Sequence, residues 1–242
     1  MNVTGSTHRT HVASAAAPTT RFRRVTGAVA LPTAFLAQLV CNSIYAWTST
    51  SSGLSDTGST ADAYAFYALF PAEMMVATMF ALVGVLLAIP GLLAALHVLR
   101  PARPRLALWA VVLMIAGYIC YFGVVFTNFD TLALATAHID AADALDASTT
   151  RALAVPFFLL FVAGNLLGTL LLGLAVILGG GRIGVPRWAG ALIMGWTVGH
   201  LINIFGGGEW FAVAGGALEV TGLIVLARAA LRLSDVEWAR RG

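Results

Sequence analysis

Lysine is absent from the 242 residues, and charged side chains of all kinds make up only 10%. A chain that is also 59% hydrophobic lies far from the composition of a water-soluble domain. Cysteine occurs only twice, as Cys41 and Cys120, with no C-x-x-C and no H-E-x-x-H, so the usual zinc frameworks have no support and no metal or other cofactor is expected. The fourteen basic residues, all arginine, sit in tails and short connections. They read as a topology signal and not as a nucleic-acid patch.

What the chain has instead is long apolar runs. A window of about 20 apolar residues spans the ~30 Å core of a bilayer at ~1.5 Å per residue, and six segments meet it: roughly 25–47, 72–99, 106–127, 153–178, 187–205 and 210–231. The first follows Arg21, Arg23 and Arg24 as a signal peptide would, but its apolar run is too long and no A-x-A cleavage site stands directly after it, so it reads as retained. The expected fold is therefore an all-α integral membrane bundle of six transmembrane helices. Residues 1–22 form a disordered cytoplasmic tail, 23–231 the membrane domain and 232–242 a C-terminal cytoplasmic tail in this reading.

Thirteen of the fourteen arginines flank the spans on one side, and only Arg151 falls on the other. By the positive-inside rule that side is the cytoplasm, which puts both termini inside a bacterial cytoplasmic membrane and makes three helical hairpins face outward. Two outer connections are each about 25 residues long. In the first, Tyr64, Phe66, Tyr67 and Phe70 look like an aromatic belt at the interface. In the second, the Ala-rich stretch 133–147 has the spacing of a short interfacial helix. Pro90-Gly91 is a candidate kink, and Gly179, Gly181 and Gly184 fit G-x-G-x-x-G but, with no strand before them, read as a cytoplasmic turn.

Trp109-Ala110-Val111-Val112-Leu113 and Trp188-Ala189-Gly190-Ala191-Leu192 open the third and fifth spans alike. Duplication of a hairpin would make Tyr121 and His200 equivalent and set both around a shared cavity. The stretch from Asn165-Leu166-Leu167-Gly168-Thr169 through Val185-Pro186-Arg187-Trp188 to His200 resembles uncharacterised six-span membrane proteins of actinobacteria, over about residues 157–204. The resemblance implies the fold and carries no activity.

Polar groups within spans are costly and turn toward partners or cavities, so their depth is informative. Gln38, Asn42 and Tyr45 share one face of the first span, Tyr118 and Tyr121 with Asn128 one face of the third, and Trp196, His200 and Asn203 one face of the fifth. Glu73, Asn165 and Glu219 come from the even spans. His200 lies ~18 Å above Trp188 and Glu219 ~12 Å below Phe211, which sums to the bilayer thickness and sets the two level. Of these polar residues all but Asn128 and Trp196 make ten ligand-binding candidates, and they outline an outward-opening polar pocket, expected to bind or move a small amphipathic or lipid-like ligand. The structural alternative is interhelical hydrogen bonding, and for Glu73 a first-turn acid on the helix dipole. A second function is an intramembrane enzyme in which Glu219 serves as a catalytic acid tuned by His200, acting on a lipid or isoprenoid; a third is a structural partner of another membrane protein. Enzyme activity is the less favoured expectation. The bilayer is the expected partner; six spans are few for a monomeric transporter, an objection that a homo-oligomer would relax. His97 reads as interfacial and His138, beside Asp140 and Asp143, as too isolated for a metal. Cys41 and Cys120 are expected to stay reduced.

Overall fold

The structure, a computed structural model, describes residues 19–54, 59–139, 141–147 and 154–241. Arg9, Arg151, Asp56 and Asp140, and most of the N-terminal tail, lie outside them. Nine α-helices occur among the described residues: α1 (Thr19–Ser52), α2 (Thr60–Leu69), α3 (Pro71–Leu99), α4 (Pro104–Thr136), α5 (Ala142–Asp146), α6 (Val155–Ile183), α7 (Arg187–Ile202), α8 (Glu209–Arg232) and α9 (Asp235–Arg241). Six of them, α1, α3, α4, α6, α7 with its C-terminal turn, and α8, are long and apolar enough to cross a membrane, and the chain is a multi-pass membrane protein.

Local chemistry sets the boundaries. Proline opens α3, α4 and α6 within the first turn, where its missing N–H costs nothing. Gly184, at φ +72°, ends α6 in the left-handed region that glycine adopts without strain. Gly179 and Gly181 are therefore helical and only the last glycine of the G-x-G-x-x-G match turns the chain. The helix α3 runs on through Pro90, and Gly91 serves close packing: a Cβ there would lie 2.6 Å from the Leu31 Cα of α1. Helix α7 is short because a π-turn, Asn203–Gly207, unwinds its end, with Gly206 at φ +100°.

The six spanning helices close into a ring in which α1 touches α3, α3 touches α4, α4 touches α6, α6 touches α7, α7 touches α8 and α8 returns to α1. Small residues let the backbones approach. A Cβ on Gly164 would sit 2.6 Å from the Leu113 carbonyl oxygen, and one on Gly215 2.6 Å from that of Gly195. Outward faces keep large apolar side chains exposed, among them Met79, Leu86, Val112, Ile119 and Phe158, as a lipid-facing surface requires.

Three contacts tie the arginine-bearing segments to one end of the ring. Arg24 pairs with Asp235 at 3.1 Å, Arg103 donates to the Leu178 carbonyl at 3.2 Å, and Arg241 donates to that of Val98 at 3.5 Å. At the other end the structure departs from expectation. Phe66 and Tyr67 are buried, not set in an interfacial belt, because α2 is a separate helix folded over that end. A reciprocal Ser59–Asp62 cap starts it, its Tyr67 hydroxyl lies 2.5 Å from that of Tyr45, and Thr60 donates to Asp146, the last residue of α5. The Ala-rich stretch divides too: its first part continues α4 to Thr136, and only Ala142–Asp146 forms a separate helix. Helical order also reaches both presumed tails, since α1 begins at Thr19 and α9 occupies 235–241.

Candidate functional site

Hydroxyl groups in the spans mostly satisfy themselves. Thr33, Ser43, Thr48, Thr50, Thr78 and Thr221 each donate to the carbonyl four residues earlier, so they need nothing from a neighbouring helix. Amides, the imidazole and the carboxyl group cannot do this as readily, and they are the groups that turn inward.

Seven of the ten residues singled out as ligand-binding candidates line one cavity at the centre of the ring: Gln38 and Asn42 from α1, Tyr118 and Tyr121 from α4, Asn165 from α6, His200 from α7 and Glu219 from α8. The volume is about 60 Å³. That is room for a few water molecules, against the roughly 300–1,000 Å³ of a drug-sized ligand site. Apolar and aromatic walls come from Phe35, Leu39, Phe161, Val162, Leu166 and Trp196. Phe35 meets Tyr118 edge-on at 5.8 Å, Tyr121 stacks on Phe161 at 4.4 Å and Trp196 stacks on His200 at 4.8 Å.

Hydrogen bonds fix much of the lining. The Trp196 indole N–H donates to Asn165 Oδ1 at 2.6 Å, and Asn165 also bonds the Tyr118 side chain. Gln38 turns its amide away to donate to the Ala81 carbonyl of α3 at 3.1 Å, and Gly84 leaves space for it, since a Cβ there would lie 2.5 Å from Gln38 Nε2. Glu219, only 3% exposed, accepts from Thr169 Oγ1 at 3.5 Å. His200 Nδ1 is buried with no hydrogen-bond partner among the described residues.

Glu219 and His200 thus share the cavity, as their equal depth implied, but no direct bond joins them among the described residues, because Glu219 is turned to Thr169 and His200 lies flat on Trp196. Tyr121 and His200, the pair matched by the Trp-Ala repeat, face the same space. The remaining three candidates do not line it. Tyr45 joins Tyr67 and Asn128 beneath α2, with Asn128 Nδ2 donating to Tyr45 Oη at 3.4 Å. Glu73 sits in the first turn of α3, and Asn203 in the π-turn beyond His200.

Sequence reasoning missed Thr169 as the partner of Glu219, and Phe161 as a wall. Both were legible in one respect: 161, 165 and 169 lie four residues apart on one face of α6. Cys41 and Cys120 form no disulfide among the described residues. His97 lies outside the cavity, stacked on Trp238 at 4.6 Å. Among the described residues no three His, Cys, Asp or Glu side chains converge as metal ligands would. Comparison with family models, with curated proteins and with solved structures finds no match to the chain.

Proposed function

We propose that this multi-pass membrane protein binds the polar head of a small amphipathic molecule in the central cavity. The carrying observation is the convergence of seven polar side chains from five helices on one space, among them His200, whose Nδ1 is buried without a hydrogen-bond partner among the described residues. The head best matched is a protonated amine. The charged form of Glu219 has no counter-ion among the described residues, a neutral His200 keeps one ring nitrogen able to accept, and the cavity walls include Tyr118, Tyr121, Phe161 and Trp196, aromatic rings of the kind that attract cations.

The small volume limits the reading: a head group fits the cavity, and an apolar tail would lie between helices. It also weighs against an intramembrane enzyme that encloses a whole lipid or isoprenoid, since such a substrate is several times larger than 60 Å³. In the same proposal the arginine-bearing end faces the cytoplasm of a bacterial cell, both termini lie there, and three hairpins face outward. Access is then from outside, past Asn42 and the Tyr45–Tyr67–Asn128 cluster that α2 covers.

The test uses purified protein in detergent with octylamine and octanol as matched probes. Octylamine is expected to raise the melting temperature and octanol not to. Glu219→Gln should melt like the parent without a probe and lose the amine response. An equal response to both probes, or an undiminished amine response in Glu219→Gln, overturns the reading.

A further inference from the structure

At the arginine-bearing end, far from the cavity, α9 folds back beneath the bundle, and its seat is built from several contacts. Trp238 is 4% exposed and stacks nearly parallel, at 10°, on the His97 ring of α3. Arg24 of α1 holds the helix start through Asp235 and also donates to the Leu231 carbonyl at 2.8 Å. Ser234 caps the helix and pairs with Glu237 in both directions, at 2.8 Å to Glu237 Oε2 and 3.2 Å from the Glu237 N–H. The result of this seating is electrostatically awkward. Arg240 and Arg241 are brought beside Arg100, and the three guanidinium groups line an open cleft of about 540 Å³ with Pro101 and Glu237.

The charges there do not cancel. Glu237 supplies one negative charge, with one of its oxygens already engaged by Ser234. Arg100 caps α3, and Arg240 and Arg241 stand in the last turn of α9, so two helix C-termini offer roughly half a negative charge each. Against three guanidinium charges this leaves about one positive charge uncompensated. The cleft begins where the apolar run of α3 stops, which is the level of lipid head groups. Guanidinium groups present paired N–H donors that match phosphate oxygens.

From this geometry we infer that Arg100, Arg240 and Arg241 form a binding site for a phosphate group of a single negative charge, supplied by the phosphodiester head of an anionic membrane lipid. The lipid's acyl chains would lie along the apolar outer face of the ring while its phosphate bridges α3 and α9. The lipid would thereby fasten the C-terminal helix to the bundle.

The full chain, purified in a zwitterionic detergent, is titrated with phosphatidylglycerol, phosphatidylcholine and inorganic phosphate, and read by native mass spectrometry and by melting temperature. Phosphatidylglycerol is expected to bind at least about tenfold more tightly than phosphatidylcholine, with a preference that falls as salt rises. Arg240→Gln should lose that preference while melting like the parent in phosphatidylcholine, since Arg241 keeps its bond to the Val98 carbonyl, and Arg100→Gln should lose the preference independently. Inorganic phosphate that displaces phosphatidylglycerol at millimolar concentration would support the phosphate site and assign its natural source to solution. Equal affinity of the parent for the two lipids, or a preference kept by both sets of variants, overturns the inference.

Discussion

Within the bundle, the side chains that matter are those whose hydrogen-bonding groups cannot fold back on their own helix. Asn165 is the clearest case, because its carbonyl receives the Trp196 indole and its side chain also bonds Tyr118. Asn165→Leu strands the part-buried indole N–H of Trp196, and leaving such a donor unsatisfied costs at most about 1–3 kcal/mol. Unfolding in mixed micelles should show a loss of that size. Adding Trp196→Phe removes the stranded donor, so the double variant should lose less than the two single losses added together. Strict additivity would mean that the 2.6 Å bond contributes nothing.

The same distinction explains what could be read at this scale. Counting residues from Trp188 and from Phe211 set His200 and Glu219 level, and both line the cavity. The face of α6 that Thr169 shares with Asn165 was legible, but its bond to Glu219 was not, because a threonine in a helix ordinarily serves its own backbone and nothing in the sequence marks the one that reaches across to a carboxyl group instead. Tyr45 shared a helical face with Gln38 and Asn42, yet it belongs to another cluster. The α2 helix brings Tyr67 to it, and a segment from outside the spans cannot be placed by periodicity within them.

At the scale of elements, long apolar runs located all six spanning helices, and what escaped was the short helices α2 and α9. Both start at a serine that pairs with an acid three residues on, Ser59 with Asp62 and Ser234 with Glu237, a signal that was present and unused. Close packing offers a test with an internal control. A side chain at Gly215 or Gly168 would meet backbone of the facing helix, at 2.6 Å from the Gly195 carbonyl oxygen and 3.0 Å from that of Ala110, while one at Gly123 meets nothing within 4 Å. Gly215→Leu and Gly168→Leu should destabilise the bundle by about 1–3 kcal/mol or more. Gly123→Leu should be neutral or slightly stabilising because leucine favours helix over glycine. Parallel losses at all three positions would show that the glycines are not contact sites.

The cap of α9 carries its own pH dependence. The Ser234 N–H, then its hydroxyl, then Arg241 and Arg240 hold the Glu237 carboxyl below its ordinary value of 4.5. A depressed folded value means that the cap's contribution is fully present above about pH 4.5 and is lost as the pH falls through that lowered value. Hydrogen-exchange protection of the amides from 236 to 240, each taken relative to an unstructured peptide at the same pH, should therefore decline in acid. Glu237→Gln should flatten the decline, since the amide does not titrate. A decline unchanged by that substitution would place the acid sensitivity elsewhere.

For the whole molecule, the order of helices around the ring was beyond the sequence, because spans that are apolar on nearly every face give no direction to a neighbour. Sidedness is different, since the arginine bias and the fold can be tested against each other. The contacts of Arg24 with Asp235, Arg103 with Leu178 and Arg241 with Val98 gather the start of α1, the ends of α3, α6 and α8, and the start of α4 at one end, whatever side that end occupies. The positive-inside rule then assigns all of them together. Fusion reporters after Arg103, Arg182 and Arg241 are expected to read cytoplasm, and reporters at Ser59 and Asp143 to read outside. A full inversion of the five readings would leave the ring intact and refute only the assignment of sides, and with it access to the cavity from outside. A mixed result, such as the C-terminal reporter and Asp143 on the same side, is incompatible with six crossings of the ring. It would therefore remove the multi-pass arrangement on which the cavity, the amine proposal and the lipid site all depend.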